Sequence, residues 1–172
     1  MTLSAETSAQ TVVDLDKARP AALRVPWSML RTRFVTAHLT ALYQRFEGDL
    51  LLPLVLGEVA TRNFQAIYQM RTEGQFQLLI PAAERHMLET GTLPRSWMRP
   101  ANIMSIAAAT GVPRETVRRK VEALVGRGWV ERNASGHLYV TDLAARELES
   151  FDLQEAQRFQ DASAAAQRIK TG

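Results

Sequence analysis

Residues 103–141 read IMSIAAATGVPRETVRRKVEALVGRGWVERNASGHLYVT, and the rest of the chain is interpreted outward from them. Asn102 can cap a helix from Ile103 to Thr110. Gly111-Val112-Pro113 is a turn, and a longer helix runs from about Pro113 to Val125. Proline suits that start, because a first-turn N–H has no partner inside the helix. Gly126 and Gly128 end it. Ile103, Ile106, Val112, Val117, Val121 and Leu124 supply one apolar side. Ala107, four positions before Gly111, is small where the second helix must cross the first. Trp129 to Arg132 then reads as a strand, Asn133 to Gly136 as a tight turn, and His137 to Val140 as a returning strand.

Two helices joined by a glycine turn, each apolar on its inner side, make a helix-turn-helix. The two strands add a β-wing. The outer face of the second helix carries Arg114, Glu115, Arg118, Arg119 and Glu122. Arg114 and Arg118 share a face, as do Glu115 and Arg119. Thr116 assists near the helix start. Arginine pairs bidentately with guanine or with phosphate oxygens, and an arginine-rich helix with no large exposed apolar residue suits the major groove. Arg132 and His137 flank the wing tip, within reach of backbone or minor groove, while Trp129 and Val130 anchor the wing. The expected DNA-binding set is Arg114, Glu115, Thr116, Arg118, Arg119, Arg132 and His137, with Arg118 as base reader and Arg132 as backbone contact.

The segment resembles the winged helix-turn-helix domains of bacterial transcription regulators of the MarR, IclR and GntR types. Those families place T-G-[VL]-[PS]-R-x-T-V-x-R at the turn and recognition helix, which Gly111, Val112, Pro113, Arg114, Thr116, Val117 and Arg119 match. They place L-x-x-x-G-[WYL]-[VI]-x-R at the wing entry, which Leu124, Gly128, Trp129, Val130 and Arg132 match. The resemblance covers about a quarter of the chain closely, and about half once flanking helices are added. It implies the fold, DNA binding and a homodimer. Residues 26–100 do not look like an IclR- or GntR-type ligand domain. The length is near that of MarR-type proteins, which dimerise through N- and C-terminal helices, although here the motif sits later in the chain.

Upstream, residues 1–24 lack a helical or strand period and read as a flexible tail. From Pro26 a helix should run to about Phe46 and end at Gly48. It carries two apolar stripes. Trp27, Leu30, Phe34, Ala37 and Ala41 form one; Val35, Leu39, Leu42 and Phe46 form the other, on roughly the opposite side at about 100° per residue. A second subunit covering one of them is the favoured reading, with a helix central to a single chain as the alternative. Asp49 can cap a helix from Leu50 to about Met70. Arg71–Gly74 is a break, 75–80 is ambiguous between helix and strand, Pro81–Thr90 is a short helix stopped by Gly91, and Thr92–Pro100 is a loop. Downstream, Asp142 caps a last helical region with a break near Asp152. The expected organisation is a tail over 1–24, a helical dimerisation and support region over 25–92, the winged helix-turn-helix over 93–142 and a C-terminal helical region over 143–172. The fold class is mainly α, with a two-stranded β-wing and additional N- and C-terminal helices.

Composition narrows the function. The 172 residues contain no cysteine, which removes disulfide scaffolds and thiolate chemistry. Eighteen of the 21 basic residues are arginine. Between Arg95 and Arg132, eight basic residues face three acidic ones, a local net charge of +5 in a chain of net +3. Such a block fits a polyanion partner. The longest apolar run, Leu50–Leu56, contains a proline and falls short of the roughly 20 residues that span a bilayer. With no signal-peptide pattern, the expectation is a cytoplasmic protein without membrane contact, at the nucleoid when bound to DNA. Histidines 38, 86 and 137 are too scattered for a metal site; His86 with Glu84 and Glu89 is the one cluster. No cofactor-binding loop and no catalytic grouping stand out, so the chain reads as no enzyme. Its partners are double-stranded DNA and a second copy. A small-molecule effector between the aromatic-bearing helices is a further option. The rival function is a winged-helix module for protein–protein contact, against which the arginines argue.

Overall fold

In the computed structural model, residues 21–65, 85 and 93–171 are described. The elements are α1 (Ala21–Arg45), α2 (Leu51–Asn63), a 3-10 turn (Arg95–Trp97), α3 (Ile103–Thr110), α4 (Arg114–Gly126), β1 (Val130–Arg132), β2 (Leu138–Val140) and α5 (Asp142–Thr171). The fold is mainly helical, a winged helix-turn-helix with one two-stranded sheet. The chain divides into two compact units. One spans Leu42–Ser150; the other joins the described residues up to Ala41 with those from Phe151 on.

The Leu42–Ser150 unit owns the main core. Leu52, Val55, Leu56 and Val59 line one side of α2, and Ile106, Val117, Val121 and Leu124 meet them from α3 and α4. Each aliphatic side chain fully buried this way contributes about 1.5–3 kcal/mol. Leu138 of β2 closes the core, and Ile103, Ala107 and Val112 pack at its edge, so the inner face expected of the two helices is the one that is buried. β1 and β2 pair antiparallel with Val130 opposite Val140, Glu131 opposite Tyr139 and Arg132 opposite Leu138. Ala101 adds a single bridge to Leu138. Trp129 seats the wing: its ring meets Phe46 edge-on at 5.8 Å, and its indole N–H donates to Glu147 at 2.7 Å.

Several boundaries differ from expectation. The first helix begins at Ala21, so residues 21–24 are helix and not tail, and Pro26 lies inside the helix. Ala21, Ala22, Leu23 and Arg24 are strong helix formers, and they extend the helix past the proline at the cost of one hydrogen bond. The second helix stops at Asn63, short of Met70, with Phe64 closing its last turn. The loop 92–100 contains the 3-10 turn at Arg95–Trp97. The last helix is capped by Thr141, whose Oγ1 accepts the Ala144 N–H at 3.3 Å, while Asp142 is already helical. A carboxylate in the first turn is favourable to the helix dipole without being the cap. The helix runs unbroken through Asp152, because no glycine or proline interrupts it there. Expectations for 66–84 and 86–92, including the His86 cluster, lie outside the described residues, as does the tail over 1–20.

In the other unit, parts of α1 and α5 pack together. Phe34 meets Phe159 edge-on at 5.9 Å. Glu155 accepts from His38 Nδ1 and from Arg158 Nε. The first stripe of α1, Trp27, Leu30, Phe34, Ala37 and Ala41, is half-buried, whereas Val35 and Leu39 of the second stripe are 44% and 45% exposed. The second stripe is divided: Leu42 and Phe46 belong to the Leu42–Ser150 core. Among the described residues, no helix is long and apolar enough to cross a membrane.

Candidate nucleic-acid interface

The helix-turn-helix is held by local chemistry. Asn102 Oδ1 accepts the Ser105 N–H, and the Ser105 hydroxyl oxygen accepts the Asn102 N–H, a reciprocal capping box that starts α3. Gly111 ends α3 in the left-handed region at φ 70°, its N–H donating to Ala107. That backbone conformation costs most other residues about 1–2 kcal/mol. Pro113 precedes α4 and provides no capping side chain, leaving the first-turn N–H groups of the recognition helix to another partner.

Val117, Val121 and Leu124 hold α4 against the core, which turns Arg114, Glu115, Arg118, Arg119 and Glu122 outward. Thr116 is half-buried beside them. At the wing, Arg132 is exposed and His137 half-buried. The turn between them is tied by Asn133, whose Oδ1 accepts the N–H groups of Ser135 and His137 at 3.0 and 2.9 Å.

Ion pairing sorts the basic block. Arg118 donates from Nε and Nη2 to both oxygens of Glu115, at 2.9 and 2.6 Å, and from Nη1 to Glu122 at 2.5 Å. Its hydrogen bonds to Arg118, together with the charges of Arg118 and Arg119, hold the Glu115 carboxyl below the usual carboxylate range. The same pairing raises the already high pKa of Arg118. Arg95 grips Glu131 through two bonds of 3.1 and 2.8 Å and lies 4.2 Å over the Tyr139 ring, bracing the wing. Lys120 reaches Asp49, and Arg127 lies over Trp129 within 3.8 Å of Glu47. Among the described residues, Arg99, Arg114, Arg119 and Arg132 are exposed and in no ion pair.

Of the expected site residues, then, Glu115 and Arg118 are brought together, and Arg114, Arg119 and Arg132 are exposed cations in no ion pair. Glu122 is the residue whose part sequence reasoning left open. It lies four positions after Arg118, a spacing at which helical ion pairs form. Asn63 gives no such signal, yet its buried carboxamide holds the wing to α2.

The family model for the IclR helix-turn-helix domain matches residues 97–134, from the 3-10 turn to the tip of the wing. No curated protein and no solved structure matches the chain. Residues 97–134 thus carry a helix-turn-helix of IclR type, the kind of domain with which transcription regulators bind DNA.

Proposed function

We propose that this protein is a sequence-specific regulator of transcription that binds double-stranded DNA as a homodimer. Its interface consists of Arg114, Glu115, Thr116, Arg118 and Arg119 on α4, with Arg132 and His137 on the wing. The observation that carries this reading is the set of four exposed, unpaired arginines, 99, 114, 119 and 132, on a helix-turn-helix whose three local acids are all engaged elsewhere. Arg114 and Arg119 present free guanidinium groups on an outer helix face that carries no large apolar residue over Arg114–Glu122. The test is selection of bound fragments from genomic DNA, followed by binding to the selected duplex across a salt series. Four phosphates neutralised per chain, eight per homodimer, give a fall in affinity on the order of ten-thousandfold between about 50 and 200 mM salt. Absent or salt-independent binding rejects the reading and favours a protein-contact module.

The homodimer rests on the terminal unit, where Met29, Val35, Leu39, Leu153 and Phe159 are exposed apolar side chains on two helices. Exposed apolar side chains in this number suit an association face, and a two-fold dimer reads two half-sites. Response to a small-molecule effector has a candidate place in the same unit: a groove of about 340 Å³ lined by Leu30, Phe34 and Ala165 together with Arg33, Arg158 and Asp161. Arg158 is already paired with Glu155, so the mainly apolar lining suits a small aromatic compound, and calorimetric titration with such compounds is its test.

A further inference from the structure

Arg118 sits on the outer face of the recognition helix, 47% exposed, with two carboxylates of the same helix closed on it. Glu115 takes Nε and Nη2, and Glu122 takes Nη1. Of the five N–H donors of a guanidinium, one on each terminal nitrogen is left unused. The three side chains together carry one net negative charge, whereas Arg114 and Arg119 nearby are in no ion pair. A phosphate approaching Arg118 therefore meets a cation whose attraction two bound carboxylates offset. A guanine edge is uncharged and offers O6 and N7 as acceptors, so the carboxylates do not repel it.

We propose that Glu115 and Glu122 act as discriminating residues: they withhold Arg118 from the phosphate backbone, so that it adds to binding only where a guanine edge lies in register. This rests on the DNA-binding reading above and extends it to how cognate and other sequences are told apart. Arg114, Arg119 and Arg132 supply sequence-independent attraction, and the Arg118 triad supplies selectivity without adding to it. Phosphate contacts position a protein and base contacts specify sequence; here the two duties fall on cations that differ in whether an acid holds them.

The experiment compares a duplex selected by the protein from a random pool with the same duplex scrambled. The variants are Glu115→Gln with Glu122→Gln, Arg118→Ala, and Arg119→Ala as the comparison. All four side chains are exposed, and thermal unfolding of each variant verifies the fold. The double Gln variant should bind the scrambled duplex more tightly, with a salt slope steeper by about 0.9 for each cation released to phosphate, one per chain, and its preference for the selected duplex should shrink. Adding Arg118→Ala to the double Gln variant should abolish that gain on the scrambled duplex, and Arg118→Ala alone should weaken binding to the selected duplex more than to the scrambled one by roughly tenfold or more, the loss of one base contact. Arg119→Ala should weaken both. If the double variant keeps the wild-type affinity and slope on scrambled DNA, or if its gain there survives the addition of Arg118→Ala, the inference is overturned and DNA binding stands. A wild-type protein that binds neither duplex overturns the DNA-binding reading and this inference with it.

Discussion

The backbone N–H of Val140 donates to Oδ1 of Asn63, 77 positions earlier in the chain, at 2.8 Å. The other end of the same carboxamide donates to the carbonyls of Arg99 and Leu138, at 2.8 and 3.1 Å. Asn63 is fully buried. One side chain thus joins the end of α2, the segment entering α3 and the second strand of the wing, and it satisfies backbone groups that a two-stranded sheet leaves unpaired on its inner edge.

Asn63→Ala should cost about 1–3 kcal/mol in chemical denaturation, because the half-buried Val140 N–H and the Arg99 carbonyl lose their side-chain partner, while the Leu138 carbonyl keeps the Ala101 N–H at 3.3 Å. Asn63→Asp should do no better: the carboxylate keeps the Val140 bond, loses both donors and buries a charge. A variant with wild-type stability would remove Asn63 from its place as the tie between α2 and the wing.

The cations of the basic block should divide in salt titrations according to their partners. Arg114→Ala, Arg119→Ala and Arg132→Ala should each flatten the salt slope by about 0.9 per chain, the loss of one phosphate contact in each half of the dimer. Arg132→Ala should weaken selected and scrambled duplexes about equally. Lys120→Gln should leave the slope unchanged, since Asp49 already neutralises that ammonium. Equal flattening by all four substitutions would mean that ion pairing in the free protein does not govern which cations meet DNA.

Dimerisation should fail when charge is placed on the exposed part of α1. Val35→Glu with Leu39→Glu should yield a monomer of unchanged helicity, read by sedimentation equilibrium and circular dichroism, because both side chains are half-exposed in the single chain. Leu42→Glu should instead lower stability, since Leu42 packs against the Leu42–Ser150 core. A wild-type monomer at micromolar concentration would refute the dimer.

The Glu115 carboxyl should titrate below its ordinary value of about 4.3 when followed by NMR. Its bonds to Arg118 favour the ionised form, so the contribution of the pair is complete above the unfolded-state value and is lost only as pH falls through the lower folded-state value. Between pH 5 and 8 this pair adds no pH dependence to DNA binding. Arg118→Ala should move the midpoint back up, and a midpoint already at the ordinary value in the wild type would mean the pair is not formed in solution.

Features legible in the sequence alone are those that neighbours along the chain decide. The capping box at Asn102, the left-handed Gly111, Pro113 before the recognition helix and the turn at Asn133–Gly136 are short-range devices, and the apolar spacing of Ile106, Val117, Val121 and Leu124 specifies a buried side without reference to what covers it. Which residues of α4 face outward followed from that period alone. The tertiary structure decided everything that depends on distant partners. Asn63 and the strand it serves lie 75 and 77 positions apart, and no local pattern marks a polar residue as buried. Lys120 is neutralised by Asp49 and Arg127 lies near Glu47, acids far outside the basic block, so a count of charge along that block overstates its free cations by those pairs. The second stripe of α1 looks continuous in sequence, yet Phe46 is buried in one unit while Leu39 is exposed in the other, because a helix period records which side is apolar and not where the packing against it stops.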